Sequence, residues 1–176
     1  MKNKWWLMEH FVHGTAEVSG KAKIGASTKI WNNAQVREGA IVGKECIVGK
    51  NAYIDTGVKI GKRVKIGNNV SVFKGSVVHD CVFLGPHCCL LNDKVPRSVN
   101  PDGGLKGDKD WKISGVTVNE GASIGAGSVL LPGVCVGEWA MVGAGSVVTK
   151  DVPDFALVYG NPAVIHGKVD KSGNKV

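Results

Sequence analysis

Three stretches of this 176-residue chain hold groups that could do chemistry. The first is Asn92-Asp93-Lys94-Val95-Pro96-Arg97-Ser98. Arg97 carries the planar donor fork that matches a diphosphate, and a salt bridge inside a loop is an equal use for it. Asp93 is a candidate general base, although a carboxylate in such a polar run is more often a turn residue. The second stretch is a pair of near copies, Ile124-Gly125-Ala126-Gly127-Ser128-Val129 and Val142-Gly143-Ala144-Gly145-Ser146-Val147. Stacked, they would form a strip without bulky side chains whose backbone amides face a long thin ligand. Gly-Ala-Gly is also ordinary corner chemistry. The third is His79, Cys81, His87, Cys88 and Cys89, the residue types that bind zinc. They contain no CxxC pair, and the repeat described next sends them in different directions, so no metal is expected.

The element that must position these groups is a repeat of six. An aliphatic residue opens every block from Val12 through Val18, Ile24, Ile30 and onward to Leu84 and Leu90, without a slip. Position two is often glycine (Gly25, Gly43, Gly49, Gly61, Gly67, Gly85), and position five is small or β-branched. That period is neither helical nor alternating; it is the mark of a β-solenoid. Each block supplies a short strand and a corner, and three blocks close a triangular coil with the aliphatic residue inward. Glycine at position two is read as tolerating the backbone angles of the turn. Each buried aliphatic side chain contributes roughly 1.5–3 kcal/mol. The two Gly-Ala-Gly segments lie one coil apart, so they stack directly, about 4.8 Å from each other.

The register breaks after Leu90 and resumes at Val118, Ile124, Leu130, Val136, Val142 and Val148. A long loop thrown from a rigid rod is usually functional. The domain plan is therefore an N-terminal cap over 1–11, a β-helix over 12–153 with an inserted loop at 91–115, and a tail over 154–176. Trp5, Trp6, Leu7 and Met8 in the cap are too few for a signal-peptide core, and no apolar run approaches a membrane span. Five cysteines form no even set, which points to reduced thiols in a cytoplasm. The net charge of +7 is scattered along the repeats rather than gathered in a run, which argues against a nucleic-acid partner. Apolar sixth positions (Ile41, Ile47, Tyr53, Val77, Phe83) point outward, more than a solvated wall needs, so part of the outside is expected to pack on another copy.

The blocks, the late loop, the paired GAGSV segments and TKDVPDFALVYGNPA resemble the hexapeptide-repeat acyltransferases, left-handed parallel β-helices. FVHGTAEV, KIWNNAQV, IGNNVSVFKG and VFLGPHCCLLNDKVPRS bring the chain nearest to the nucleotide-linked 3-amino-sugar N-acetyltransferases, over nearly its whole length from about residue 11. The left hand comes from this resemblance, because parallel crossovers are generally right-handed. The resemblance implies a homotrimer with sites between subunits and acetyl-CoA as donor. It implies an acceptor amine on a UDP- or dTDP-linked amino sugar, most often 3-amino, made for bacterial surface polysaccharide. It places Asn92 on the attacking amine. It implies that Asn68, Asn69 and Phe73 face the nucleotide sugar, and Trp31 matches the family's IW, with Asn32 and Gln35 where relatives often carry histidines. It further implies that Gly125, Ala126, Gly127, Gly143, Ala144 and Gly145 line the pantetheine, with Lys150, Asn161, Pro162, Ala163 and Lys168 toward the adenosine end.

Residues 91–115 contain no histidine, which suits a neutral amine positioned by Asn92 rather than deprotonated. An O-acetyltransferase acting on a sugar or small alcohol is the alternative, but it would call for a loop base. A carbonic anhydrase on the same solenoid needs three zinc-binding histidines, and His10, His13, His79, His87 and His166 do not resemble that family's spacing. A non-catalytic solenoid would need neither the inserted loop nor the bare strip.

Overall fold

The computed structural model describes residues 10–176, an all-β left-handed parallel β-helix. The cap residues Trp5, Trp6, Leu7 and Met8 lie outside the described residues. Two-residue strands stack into three walls. Wall one runs from Phe11–Val12 through Lys29–Ile30, Ile47–Val48, Lys65–Ile66, Phe83–Leu84 and Ser123–Ile124 to Met141–Val142. Wall two runs from Glu17–Val18 to Val147–Val148, and wall three from Lys23–Ile24 to Cys135–Val136. Register steps by 18 residues per coil, as in Lys65↔Phe83, but by 40 across the loop, as in Phe83↔Ser123. The loop therefore adds 22 residues without disturbing the walls.

Every opening aliphatic from Ile30 to Val148 is buried, and the small residues at position five fill the corners beside them. Val12, Val18 and Ile24 in the first coil are only half-buried. Cys46 and Cys88 act as small core residues, and burial pushes the Cys88 thiol up to about 11.

The structure corrects the role of glycine. The left-handed conformation falls at position four, whatever residue stands there: Arg63 (φ 55°), Asn69 (58°), Cys81 (61°) and Trp139 (55°) adopt it, as do Gly127 and Gly145. Position-two glycines are needed for space instead. A Cβ on Gly67 would sit 2.6 Å from the Pro86 backbone nitrogen, and one on Gly85 would sit 2.6 Å from that of Ala126. Coils approach so closely at this point of the corner that no side chain fits.

Wall one also extends into the expected tail. Ala156–Gly160 pairs in parallel with Met141–Val142, then folds back antiparallel onto Ala163–Lys168. No helix among the described residues is long and apolar enough to cross a membrane.

Candidate active site

The three walls meet at three edges. The edge between walls one and two carries Trp31-Asn32-Asn33, Gly49-Lys50-Asn51, Gly67-Asn68-Asn69, Gly85-Pro86-His87, Gly125-Ala126-Gly127 and Gly143-Ala144-Gly145 in successive coils. It changes character along its length. At the lower end side chains tie coil to coil: Asn51 donates to Asn69 Oδ1 at 3.0 Å, and Asn69 lies 3.4 Å from His87 Nε2. Here Trp31, Asn68, Lys50 and Phe83 line a groove of about 470 Å³. At the upper end the edge is bare. The Ser128 and Ser146 hydroxyls both donate to the Gly143 carbonyl, at 3.0 and 2.6 Å, and pin the strip from inside.

Contrary to the expectation from stacking, the strip's amides are not all open. The Gly125, Gly127, Gly143 and Gly145 N–H groups are spent on the coil ladder, at 2.7–2.8 Å. Ala126 and Ala144, both exposed, are the residues whose N–H groups meet no acceptor among the described residues. Two donors one coil apart could hold successive carbonyls of an extended ligand.

The edge between walls two and three carries the loop. Asn92 is half-buried where the chain leaves the coil. Its Nδ2 donates to the Lys74 carbonyl at 3.0 Å, and its own carbonyl accepts the Ser114 N–H at 2.9 Å, closing the base of the loop. No donor meets Asn92 Oδ1 among the described residues. Asp93 Oδ1 accepts the Val95 N–H at 2.9 Å, the local turn bond typical of such a carboxylate. Arg97 is exposed and donates to the Pro96 carbonyl at 2.8 Å. Phe73 lies one coil below, its ring 5.8 Å from that of Tyr53. Asp93, Lys94, Trp111 and Lys112 line a second cavity of about 470 Å³ under the loop, which the sequence did not suggest.

The zinc-type residues divide as their repeat positions require. His79 and Cys81 sit on the edge between walls three and one, whereas His87 and Cys88 sit on the first edge. Among the described residues no three His, Cys, Asp or Glu side chains gather to hold a metal ion.

The bacterial transferase hexapeptide family (six repeats) matches residues 21–56 and 115–150, and the hexapeptide repeat of succinyl-transferase matches 39–74. The chain belongs to the bacterial hexapeptide-repeat family. It is 42% identical over 59 residues to the dTDP-3-amino-3,6-dideoxy-alpha-D-galactopyranose 3-N-acetyltransferase of Aneurinibacillus thermoaerophilus. That stretch covers 34% of this chain and 31% of the relative. Among solved structures, the fold resembles a variant of perosamine N-acetyltransferase from Caulobacter crescentus in complex with CoA and GDP-perosamine. Identity is 25% with a TM-score of 0.51, over 92% of this chain and 58% of that one. It also resembles a galactoside acetyltransferase in complex with coenzyme A, at 23% identity and a TM-score of 0.63, over 76% of this chain and 66% of that one. The chain thus spans about a third of its curated relative.

Within this hexapeptide-repeat chain the remaining expected site residues fall in two places. Lys150, Pro162 and Ala163 line a cavity of about 320 Å³ beside the turn that contains Asn161. Lys168 lies at the far end of the same hairpin, paired with Ala156, and does not line that cavity.

Proposed function

We propose that this chain is an acetyl-CoA-dependent N-acetyltransferase acting on the amino group of a nucleotide-linked amino sugar. The acceptor is a 3-amino hexose on UDP or dTDP, destined for bacterial surface polysaccharide. The observation that carries the chemistry is the vacant Oδ1 of Asn92 at the mouth of the loop. An amide oxygen accepts a hydrogen bond from an amine N–H without needing to titrate, and so orients the nitrogen lone pair toward an acyl carbon. The 42% identity to a dTDP-3-amino-sugar 3-N-acetyltransferase supports the acceptor class. The CoA complexes among the structural neighbours support the donor.

Acetyl-CoA supplies an acyl carbon already activated as a thioester. The neutral amine attacks it, the C–N bond forms and the C–S bond breaks. The amine proton leaves with the thiolate as free thiol, so no side chain must hold it at the end of the cycle. Asn92 positions the amine, with Asp93 held in its turn beside it. Ala126 and Ala144 N–H groups take the pantetheine carbonyls along a strip completed by Gly125, Gly127, Gly143 and Gly145. Lys150, Asn161, Pro162 and Ala163 receive the adenosine end, and Lys168 adds long-range positive charge. Trp31, Asn68, Asn69, Phe73 and Arg97 receive the nucleotide sugar.

In one copy the bare strip and Asn92 stand on different edges of the prism with wall two between them. A homotrimer, in which one copy's strip faces its neighbour's loop, brings them together. The test is thiol release from acetyl-CoA against UDP-, dTDP- and GDP-linked 3-amino and 4-amino sugars. Release with a 3-amino sugar, and transfer of the acetyl group to its nitrogen by mass spectrometry, is the expected result. Thiol release only with hydroxyl acceptors would replace this reading with O-acetylation.

A further inference from the structure

Asn92 faces the opposite way from its equivalents two and four blocks earlier, Asp80 and Asn68, and the cause is Asp55. In this solenoid a carboxamide or carboxylate at position three commonly caps the coil below. Asn68 Oδ1 accepts the Lys50 N–H at 2.9 Å, and Asp80 Oδ1 accepts the Lys62 N–H at 2.8 Å. Each pair is 18 residues apart, one coil. By the same spacing Asn92 Oδ1 should accept the Lys74 N–H. It does not, because Asp55 Oδ2 has taken that N–H at 3.0 Å.

The Lys74 carbonyl is handled in a matching way. In regular coils the position-three carbonyl accepts the N–H of position four one coil up, as Lys62 O does from Cys81 at 2.9 Å. For Lys74 that donor would be Asp93, but the chain leaves the coil there. Asn92 Nδ2 supplies the missing donor at 3.0 Å. With Nδ2 committed to the Lys74 carbonyl and the Lys74 N–H already occupied, Asn92 can present only its oxygen to the outside.

We propose that Asp55 is a positioning residue that keeps Asn92 Oδ1 vacant for the acceptor amine by withdrawing the Lys74 N–H. This rests on the role given to Asn92 above. Asp55 is itself fixed from three sides. Its Oδ1 accepts the Tyr53 hydroxyl at 2.9 Å and the Thr56 N–H at 2.7 Å, and the Tyr53 oxygen accepts from Arg37 at 3.4 Å. Arg37 is in turn paired with Glu38 at 3.0 Å, and Glu38 accepts the Thr56 hydroxyl at 2.8 Å. Removing the Asp55 carboxylate frees the Lys74 N–H. Asn92 then has an alternative rotamer in which its oxygen turns inward to that N–H, as Asn68 does with Lys50, and the amine loses its acceptor.

The test is a double-mutant cycle with Asp55→Ala and Asn92→Ala, read as kcat and KM for the amino sugar. Asp55→Ala should lower kcat on the order of 10- to 100-fold while the acceptor KM stays within about threefold. In the Asn92→Ala background it should cost nothing further, because the atom it positions is gone. Asp55→Asn has one oxygen for three donors, two of them at the Oδ1 position, so the Lys74 N–H stays unmet and kcat should fall as in Asp55→Ala. Wild-type kcat in Asp55→Ala where Asn92→Ala is impaired, or losses that multiply in the double variant, would overturn the proposal. The Asn92 side-chain amide signals, assigned by NMR through their absence in Asn92→Ala, give a readout independent of turnover. They should move in Asp55→Ala while the Asn174 amide stays put. If they do not move, the proposal fails whatever the kinetics show. If they move although Asn92→Ala turns over normally, the positioning holds and the catalytic role of Asn92 is what fails.

Discussion

The first and second edges of the prism are made from the same hexapeptide, yet they are prepared for ligands in opposite ways. On the first edge, toward the C-terminal end, the ladder is intact and the side chains are subtracted. Gly125, Gly127, Gly143 and Gly145 spend their N–H groups inside the coil, and only Ala126 and Ala144 have donors to offer. On the second edge the ladder is broken at Asp93, and side chains repair it. Asn92 takes the Lys74 carbonyl and Asp55 the Lys74 N–H. A surface made by subtraction recognises shape and repeats along a chain-like ligand. A surface made by repair leaves one atom, Asn92 Oδ1, aimed at one place. The proposed reaction needs both, a long slot for the donor and a single contact for the amine.

The two edges differ most in what a single substitution at Asn92 removes. Asn92→Ala removes the lone acceptor, and kcat should fall on the order of 100-fold with little change in acetyl-CoA KM, measured by thiol release. Filling the bare edge should do the converse. Ala144→Trp places a bulky ring over an exposed position, so KM for acetyl-CoA should rise about tenfold or more with kcat and melting temperature little changed. Gly67→Ala probes the packing that both edges share. Its new Cβ meets the Pro86 backbone, and overpacking of this kind should cost about 1–3 kcal/mol in denaturant unfolding.

The smallest effect belongs to Glu38. Its own backbone N–H, the Arg37 side chain and the Thr56 hydroxyl hold its carboxyl down to about 2. A depressed folded pKa gives stability that is present above the ordinary carboxylate value and lost as pH falls toward 2. Glu38→Gln should therefore flatten part of the acid limb of the stability curve, and because the pair is exposed the change is small.

The core was legible because one residue type recurred at a fixed interval, and stacking demands nothing subtler. Ile30 through Val148 are buried as that pattern requires. The reason for glycine at position two was not legible, since a turn and a close approach leave the same mark on a sequence. Nor was the left-handed position, because neighbouring coils impose it on Arg63, Cys81 and Trp139 against their preferences. The hairpin of Ala156–Gly160 and Ala163–Lys168 escaped because the repeat had already stopped there. Asn92 could be singled out by resemblance, but its orientation could not. That depends on Asp55, which lies two coils away in sequence and touches Asn92 only through the Lys74 backbone.

In the proposed trimer one site is assembled from the bare edge of one copy and the loop edge of another. Complementation tests it directly. Asn92→Ala and Ala144→Trp proteins, each a tenth as active as wild type or less at low acetyl-CoA, are denatured together, refolded as mixed oligomers and assayed against separately refolded controls. If neighbouring copies share each site, random mixing leaves about a quarter of the sites with both edges intact, and a comparable share of wild-type activity returns. If both edges serve a site within one chain, every site in the mixture carries one lesion. Activity no greater than that of the unmixed variants would rule out a site shared between copies.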